Sequence, residues 1–294
     1  PPRIQCSARV KVGKSDTSGE QGARRAVERL LAEERIEVPS SPTITPSDSE
    51  TEAEEETPQQ LVALEVFCGK AGLTRALGRA GMSATGIDFK KNKDKPVART
   101  VWMDLCTDVG KKLFCELFKN KKGCKVVFVH FAPPCGRASR AREIRIKGAA
   151  FDPKPLRSDK FPDGLLDLEG SDQGRVESAN KLYAFTASTI LYLHNEGIPW
   201  AVENPTNSLM WKTSFFQKLA ARELEGKFAH KEVTFQVCMH GGQRDKWSTF
   251  WYGGGNLDLS GLEASCDGQH EHLPWGRTKE PGTHFATGDE RNYP

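Results

Sequence analysis

The stretch "VHFAPPCGRASRAR", residues 129 to 142, sets a cysteine directly after two prolines and just before a run of arginines. Pro133 and Pro134 restrict the backbone on the approach, so the Cys135 thiol is presented in a defined direction. Arg137, Arg140, Arg142, Arg145 and Lys147 follow, against the single acid Glu143. Nearby positive charge favours the thiolate, the nucleophilic form of the group. The same cations, with Ser139 among them, suit phosphate contacts that hold a nucleic acid in register without reading its sequence. For this stretch alone, an exposed basic loop with an incidental cysteine is an equal reading.

Other reactive types fall at the ends of apolar runs. In "EVFCGKAG", Gly69 and Gly72 allow a tight turn and a close backbone approach to a ligand. Asp88 follows at the spacing where an acid commonly meets ribose hydroxyls. Asp104 closes the next apolar run. Each acid alone reads as a loop residue or a helix cap. Together, Gly, Asp and Asp on three successive strand ends suggest an adenosine-containing cofactor. "AVENP" places Glu203 at a further strand end, near Cys135 if the two strands are neighbours, while Asn204 and Pro205 alone read as a strand terminus. "CMHGGQRDKW" adds Arg244 and Lys246. Cys238, His240, Cys266, His270 and His272 carry zinc-type donor atoms. Their irregular spacing weighs against a site, and no metal is expected.

These residues need elements to position them. "LVALEVF", "ATGID", "ARTVWMDL", "KVVFVHFA", "IPWAVENP", "KEVTFQVCMHG" and "WSTFWYGG" read as strands, several of them apolar throughout, as in a sheet covered on both faces. "LTRALGRAG", "DVGKKLFCELFKN", residues 174 to 197 and "NSLMWKTSFFQKLAARE" have helical spacing. The alternation over residues 61 to 255 predicts an α/β fold, a doubly wound and mostly parallel sheet whose ligands bind at the carboxyl ends of strands. Residues 1 to 60 read as a disordered tail, with a short amphipathic helix at 23 to 38 and an acidic linker at 39 to 60. Residues 256 to 294 read as a C-terminal extension packed on the domain. "FDPKPLRSDKFPDGLLDLEGSDQG", between Cys135 and Glu203, reads as a mobile loop that closes over substrate.

Composition narrows the class. The 294 residues hold 42 basic and 39 acidic side chains, so net charge does not by itself announce a polyanionic partner. Eight cysteines without a C-x-x-C pair suit free thiols in a reducing, intracellular compartment. No apolar run is long enough to span a bilayer, and the N-terminus lacks a signal-peptide layout. The missing initiator Met and the end at "DERNYP" read as a segment of a longer polyprotein.

The order of "EVFCGKAG", "GID", "MDL", "PPC" and "VENP" resembles that of the cytosine-5 DNA methyltransferases, over about Leu61 to Tyr252. The resemblance implies a Rossmann-like S-adenosylmethionine methyltransferase fold acting on nucleic acid, DNA ahead of RNA, in the nucleus. It implies a cofactor set of Glu65, Phe67, Gly69, Gly72, Asp88, Asp104 and Leu105, with Ala71 standing at the family's second glycine. It implies Cys135 after Pro134 as the nucleophile that adds to carbon 6 of a flipped cytosine, Glu203 as the acid that stabilises the protonated ring nitrogen 3, and Asn204 as the second member of the family's Glu-Asn pair. It extends the nucleic-acid set to Arg244 and Lys246. Two alternatives remain. One is a degenerate, methyltransferase-like module that binds nucleic acid or protein. The other is an RNA cytosine or exocyclic-amino methyltransferase, although "APPC" lacks the polar first and aromatic last residues of the amino enzymes.

Overall fold

Buried apolar runs form the strands here because helices or loops cover both faces of the sheet. The computed structural model describes residues 60–91, 94–119, 123–144 and 154–275; the upstream amphipathic stretch and acidic linker, Arg145 and Lys147 lie outside the described residues. In chain order the elements are β1 (Gln60–Val66), α1 (Gly72–Arg79), β2 (Ser83–Asp88), β3 (Thr100–Trp102), α2 (Asp108–Glu116), β4 (Cys124–Phe131), α3 (Gly170–Asn195), β5 (Trp200–Pro205), α4 (Ser214–Leu224), β6 (Lys231–Gln236) and β7 (Trp247–Gly253). The sheet order is β3-β2-β1-β4-β5-β7-β6. Strands β1 to β5 pair in parallel, and β7 runs antiparallel to both of its neighbours. This is the doubly wound, mostly parallel sheet expected from the alternation of patterns.

The chain steps outward from β1 through β2 to β3, then crosses back to begin β4 on the other side of β1. The loops leaving β1 and β4 therefore diverge and open a crevice at the carboxyl edge of the sheet. One core packs β1, β2, β4 and β5 against α2, α3 and α4, with Leu64, Val66, Ile87, Phe131 and Trp200 almost wholly buried. A second cluster, Ala201, Val233, Phe235, Phe250 and Tyr252, lies on the β5-β7-β6 half and is closed by Leu257, Leu259 and Leu262 rather than by a helix. The segment after β7 thus takes the covering role that a helix plays elsewhere. Among the described residues no helix is long and apolar enough to cross a membrane.

Two helix starts are built by residues outside the helix. Thr107 caps α2 by accepting from the Gly110 amide at 3.1 Å, and its hydroxyl donates to the Asp104 carbonyl at 2.7 Å. Gly110 lets α2 press on that same carbonyl: a Cβ there would lie 2.0 Å from the Asp104 oxygen. The position of Asp104 is therefore set by a glycine six residues downstream. For α1, Ala71 offers no side-chain cap, and the buried Glu65 of β1 accepts from the Thr74 amide and hydroxyl, both at 2.6 Å.

Gly110→Ala is expected to lower unfolding stability by about 2–3 kcal/mol, because a backbone oxygen cannot yield as a side chain can. Gly78→Ala, in α1 with open space around its Cβ, is expected to raise stability by about 0.5–1 kcal/mol through helix propensity. Urea denaturation of the two variants reads both signs, and equal effects would refute the packing argument.

Candidate active site

The candidate nucleophile leaves the sheet beside the candidate acid. Phe131, the last residue of β4, is in register with Val202 of β5, one residue before Glu203. Cys135 then opens a 3-10 turn, Cys135–Arg137, and is partly exposed. Pro133 and Pro134 have no N–H, so these two residues can be tethered only through their carbonyls. Three side chains do so from three different segments. Asn204 Nδ2 donates to the Pro133 oxygen at 2.9 Å, Tyr183 Oη donates to the Pro134 oxygen at 2.9 Å, and Arg157 Nε donates to the Arg137 oxygen at 3.0 Å. Burial pushes the Tyr183 phenol well above its ordinary range, so it remains a donor.

Asn204 is wholly buried and bonded to the loop backbone. It holds the loop from β5. Arg157 and Tyr183 went unnoticed in the sequence. Arg157 lies in a Pro-rich stretch with no polar pattern, and Tyr183 sits on the apolar face of α3, where an aromatic reads as core. Arg157 is only 2% exposed and also donates to the Pro162 oxygen at 2.6 Å and to Asn180 Oδ1 at 2.9 Å. Its guanidinium carbon stands 5.4 Å from the centre of the Tyr183 ring. The segment read as a loop is thus joined to the Cys135 loop through Arg157, and its last residues, from Gly170, already belong to α3.

Electrostatics tie the thiol to β5 and β7. Antiparallel pairing sets Pro205 opposite Ser248 and Glu203 opposite Phe250. Ser248 Oγ donates to Glu203 Oε1 at 2.7 Å, and Lys246 Nζ lies 3.8 Å from the same oxygen. Glu203 is 8% exposed. Burial pushes the Cys135 thiol above its ordinary range; the Lys246 charge opposes that shift and the Glu203 charge adds to it. Cys135, Glu203 and Lys246 thus act on one another at one end of the sheet. Ser248 was missed because the β5–β7 register is not legible before folding.

The residues read as a cofactor set divide into two groups. Phe67, Gly69 and Ala71 all have positive φ (62°, 53° and 58°), which folds the strand-to-helix turn tightly. The Asp88 carboxylate supports that turn, accepting from the Gly69 amide at 2.8 Å and from the Phe89 amide at 2.7 Å. A Cβ on Gly72 would meet nothing, so its backbone borders open space. Asp104 is exposed and accepts from the Cys106 amide at 2.9 Å. Glu65 and Leu105 belong elsewhere. Glu65 is buried against Thr74 as the surrogate cap of α1, and Leu105 is part of the core. Cys68, in the same motif, is buried with its thiol pushed up to about 12 by burial and by the Asp88 and Glu65 charges.

The basic residues are less open to phosphate than their spacing implied. Arg137 is exposed, and Ser139 caps the following 3-10 turn by accepting from the Ala141 amide at 3.2 Å. Arg140 pairs with Glu143 and Asp159, and Arg142 Nε donates to the Lys154 oxygen at 2.9 Å. Arg244 is buried and donates to the Pro274 oxygen at 3.3 Å, so it is not displayed to a partner. Lys246 serves the Glu203 side of the site. Of the five zinc-type donors, Cys238, Cys266, His270 and His272 come together, whereas His240 turns away to the Leu262 oxygen at 2.9 Å.

No protein-family model matches this chain, and no curated protein matches it. Among solved structures it is similar to the Dnmt2 methyltransferase of S. pombe, with 13% identity and a TM-score of 0.33, over 67% of this chain and 50% of that one. It is also similar to a mutant DNMT2 of Spodoptera frugiperda, with 13% identity and a TM-score of 0.35, over 76% of this chain and 60% of that one. The chain therefore spans 50–60% of the length of these two structures. Its own sheet order, five parallel strands wound outward in both directions from β1 with one reversed strand, is Rossmann-like.

Site-resolved alkylation tests the charge coupling. The rate at Cys135 is expected to rise with pH to a midpoint above that of an exposed cysteine, because burial disfavours the thiolate. Lys246→Ala removes a favourable cation and moves the midpoint up, while Glu203→Gln removes an unfavourable anion and moves it down. Midpoints that ignore both substitutions would separate the thiol from the β5–β7 edge.

Proposed function

We propose that this chain transfers a methyl group from S-adenosylmethionine to carbon 5 of a cytosine in nucleic acid, DNA ahead of RNA, through a covalent adduct at Cys135. The observation that carries the reading is the mutual placement of a backbone-tethered thiol, a buried carboxylate and a lysine at the carboxyl ends of β4, β5 and the approach to β7.

Two features support a methyl donor here. Gly72 borders open space, and two acids, Asp88 and Asp104, stand at or just after the next two strand ends. Asp104 would hold the adenine amino group. Asp88, by tying the Gly69 amide to β2, keeps the turn in shape beside the ribose. When bound, S-adenosylmethionine supplies an electrophilic methyl on a sulfonium.

The chain's own residues then divide the work. Cys135 gives up its proton and adds its sulfur to carbon 6 of a cytosine drawn out of the stack. Glu203 supports a proton on ring nitrogen 3, so the proton lost by the thiol is matched by one gained on the ring and no net charge accumulates. Ser248 and Lys246 fix the Glu203 carboxylate, and the Lys246 cation also eases formation of the thiolate. Loss of the carbon 5 proton and of the sulfur regenerates the thiol and leaves one proton in solution. Arg137, exposed beside the thiol, is placed to meet a phosphate.

Two measurements decide between this reading and a binding module without turnover. S-adenosylmethionine at about 100 times its Kd is expected to raise Tm by about 5–10 °C, and Asp104→Ala to remove that rise. Cys135→Ala is expected to cut methyl transfer by about 10^4-fold or more and to abolish a stable complex with a 5-fluorocytosine oligonucleotide, while the thermal response to the cofactor persists. Full transfer by Cys135→Ala would reject the nucleophile, and a parent protein that neither responds to the cofactor nor transfers would reject the methyl-transfer reading.

A further inference from the structure

Away from the site, the chain gathers four soft donor atoms that the methyl-transfer reading does not use. Cys238 lies in the 3-10 turn Val237–His240 that follows β6, and Cys266, His270 and His272 lie in the segment beyond β7. One ligand atom from each falls within 4.8 Å of every other. Cys266 Sγ is 3.7 Å from His270 Nε2 and 3.6 Å from His272 Nε2, and the two Nε2 atoms are 3.1 Å apart. A tetrahedral zinc with bonds of about 2.3 Å to sulfur and 2.0–2.1 Å to nitrogen sets its sulfur–nitrogen edges at about 3.5–3.6 Å and its nitrogen–nitrogen edge at about 3.3–3.4 Å. All three separations agree with that figure to within a few tenths of an ångström.

The surroundings orient these atoms inward. His270 Nδ1 lies 3.5 Å from Asp267 Oδ1, which leaves Nε2 as the free nitrogen, the usual carboxylate support behind a metal-bound imidazole. The Gly268 amide donates to Cys266 Sγ at 3.4 Å. Gly268 has φ +70°, so the turn from Cys266 toward His270 uses a backbone conformation that side-chain-bearing residues rarely adopt.

We propose that Cys238, Cys266, His270 and His272 bind one zinc ion as a closed, structural site. Binding turns two thiols into thiolates and releases two protons; with two neutral imidazoles and a divalent ion, the site carries no net charge. Four protein ligands leave no position for water or substrate, so the metal is a clamp and not a Lewis acid. What it clamps is specific. The segment after β7 already lies along β6 through the Gln236 amide to the Ala264 oxygen at 2.8 Å, and meets the β6–β7 loop through the Leu273 amide to the Gln243 oxygen at 2.8 Å. Zinc joins that segment covalently to the start of the loop that ends in Lys246.

The inference is independent of methyl transfer and is read from metal content. The 294-residue protein, expressed with zinc and desalted, is expected to retain one zinc per chain by mass spectrometry, and His240→Ala to retain it equally. Cys266→Ser combined with His272→Ala is expected to lose at least about nine-tenths of it. Cobalt exchanged into the unaltered protein is expected to give the intense visible bands of a tetrahedral thiolate site, a readout that does not depend on the variant folding. An unaltered protein without zinc, a double variant with full zinc, or a pale octahedral cobalt spectrum would each overturn the site.

Discussion

The site depends on carbonyl groups. A loop that begins Pro133-Pro134 has surrendered two amide donors, so it cannot be stapled by the ladder that orders its parent strand. Its shape is fixed instead by donors reaching its carbonyls from α3, from β5 and from the segment between Cys135 and α3. Two of these bonds are neutral and one is charged, for a net contribution of about 3–6 kcal/mol. That is ample to hold a short loop in one conformation. It explains why a buried arginine with no carboxylate among its hydrogen-bond partners is tolerated: its guanidinium hydrogens are spent on two carbonyls and an amide oxygen.

The reversed strand supplies what parallel pairing could not. In a parallel sheet each strand end is followed by a departing loop, so Glu203 would face only loops. With β7 antiparallel, the start of that strand arrives where β5 ends, and Lys246 and Ser248 reach the carboxylate from a rigid element. The same approach loop runs back to β6 and the cysteine–histidine cluster. The charge balance at the thiol and the architecture of the C-terminal segment therefore share one stretch of backbone.

Legibility differed between these layers for physical reasons. The strands β1 and β4 were plain because they are largely apolar, and the candidates Cys135, Gly69, Asp88, Asp104 and Glu203 stood out because glycine, proline and acid are rare company for such strands. Glu65 and Leu105 were drawn into the cofactor set by adjacency in sequence, yet alternation along a strand and the turn after it send neighbours to opposite sides. Arg244 and Lys246 share a loop, but one is buried beneath Pro274 and the other faces Glu203. Spacing cannot separate such residues. The donor cluster was obscured because Cys238 and Cys266 are brought together by packing across β6 and not by a short turn.

The tethers of the thiol loop also set an order of events. Arg157, Tyr183 and Asn204 lie 20, 49 and 71 residues along the chain from the carbonyls they hold. Contacts of such separation close late, after local helices and the first strand pairs have formed. A nascent or half-folded chain consequently carries at residue 135 an ordinary, unaimed cysteine. The direction in which that sulfur is held is settled only when the last of these long-range bonds closes.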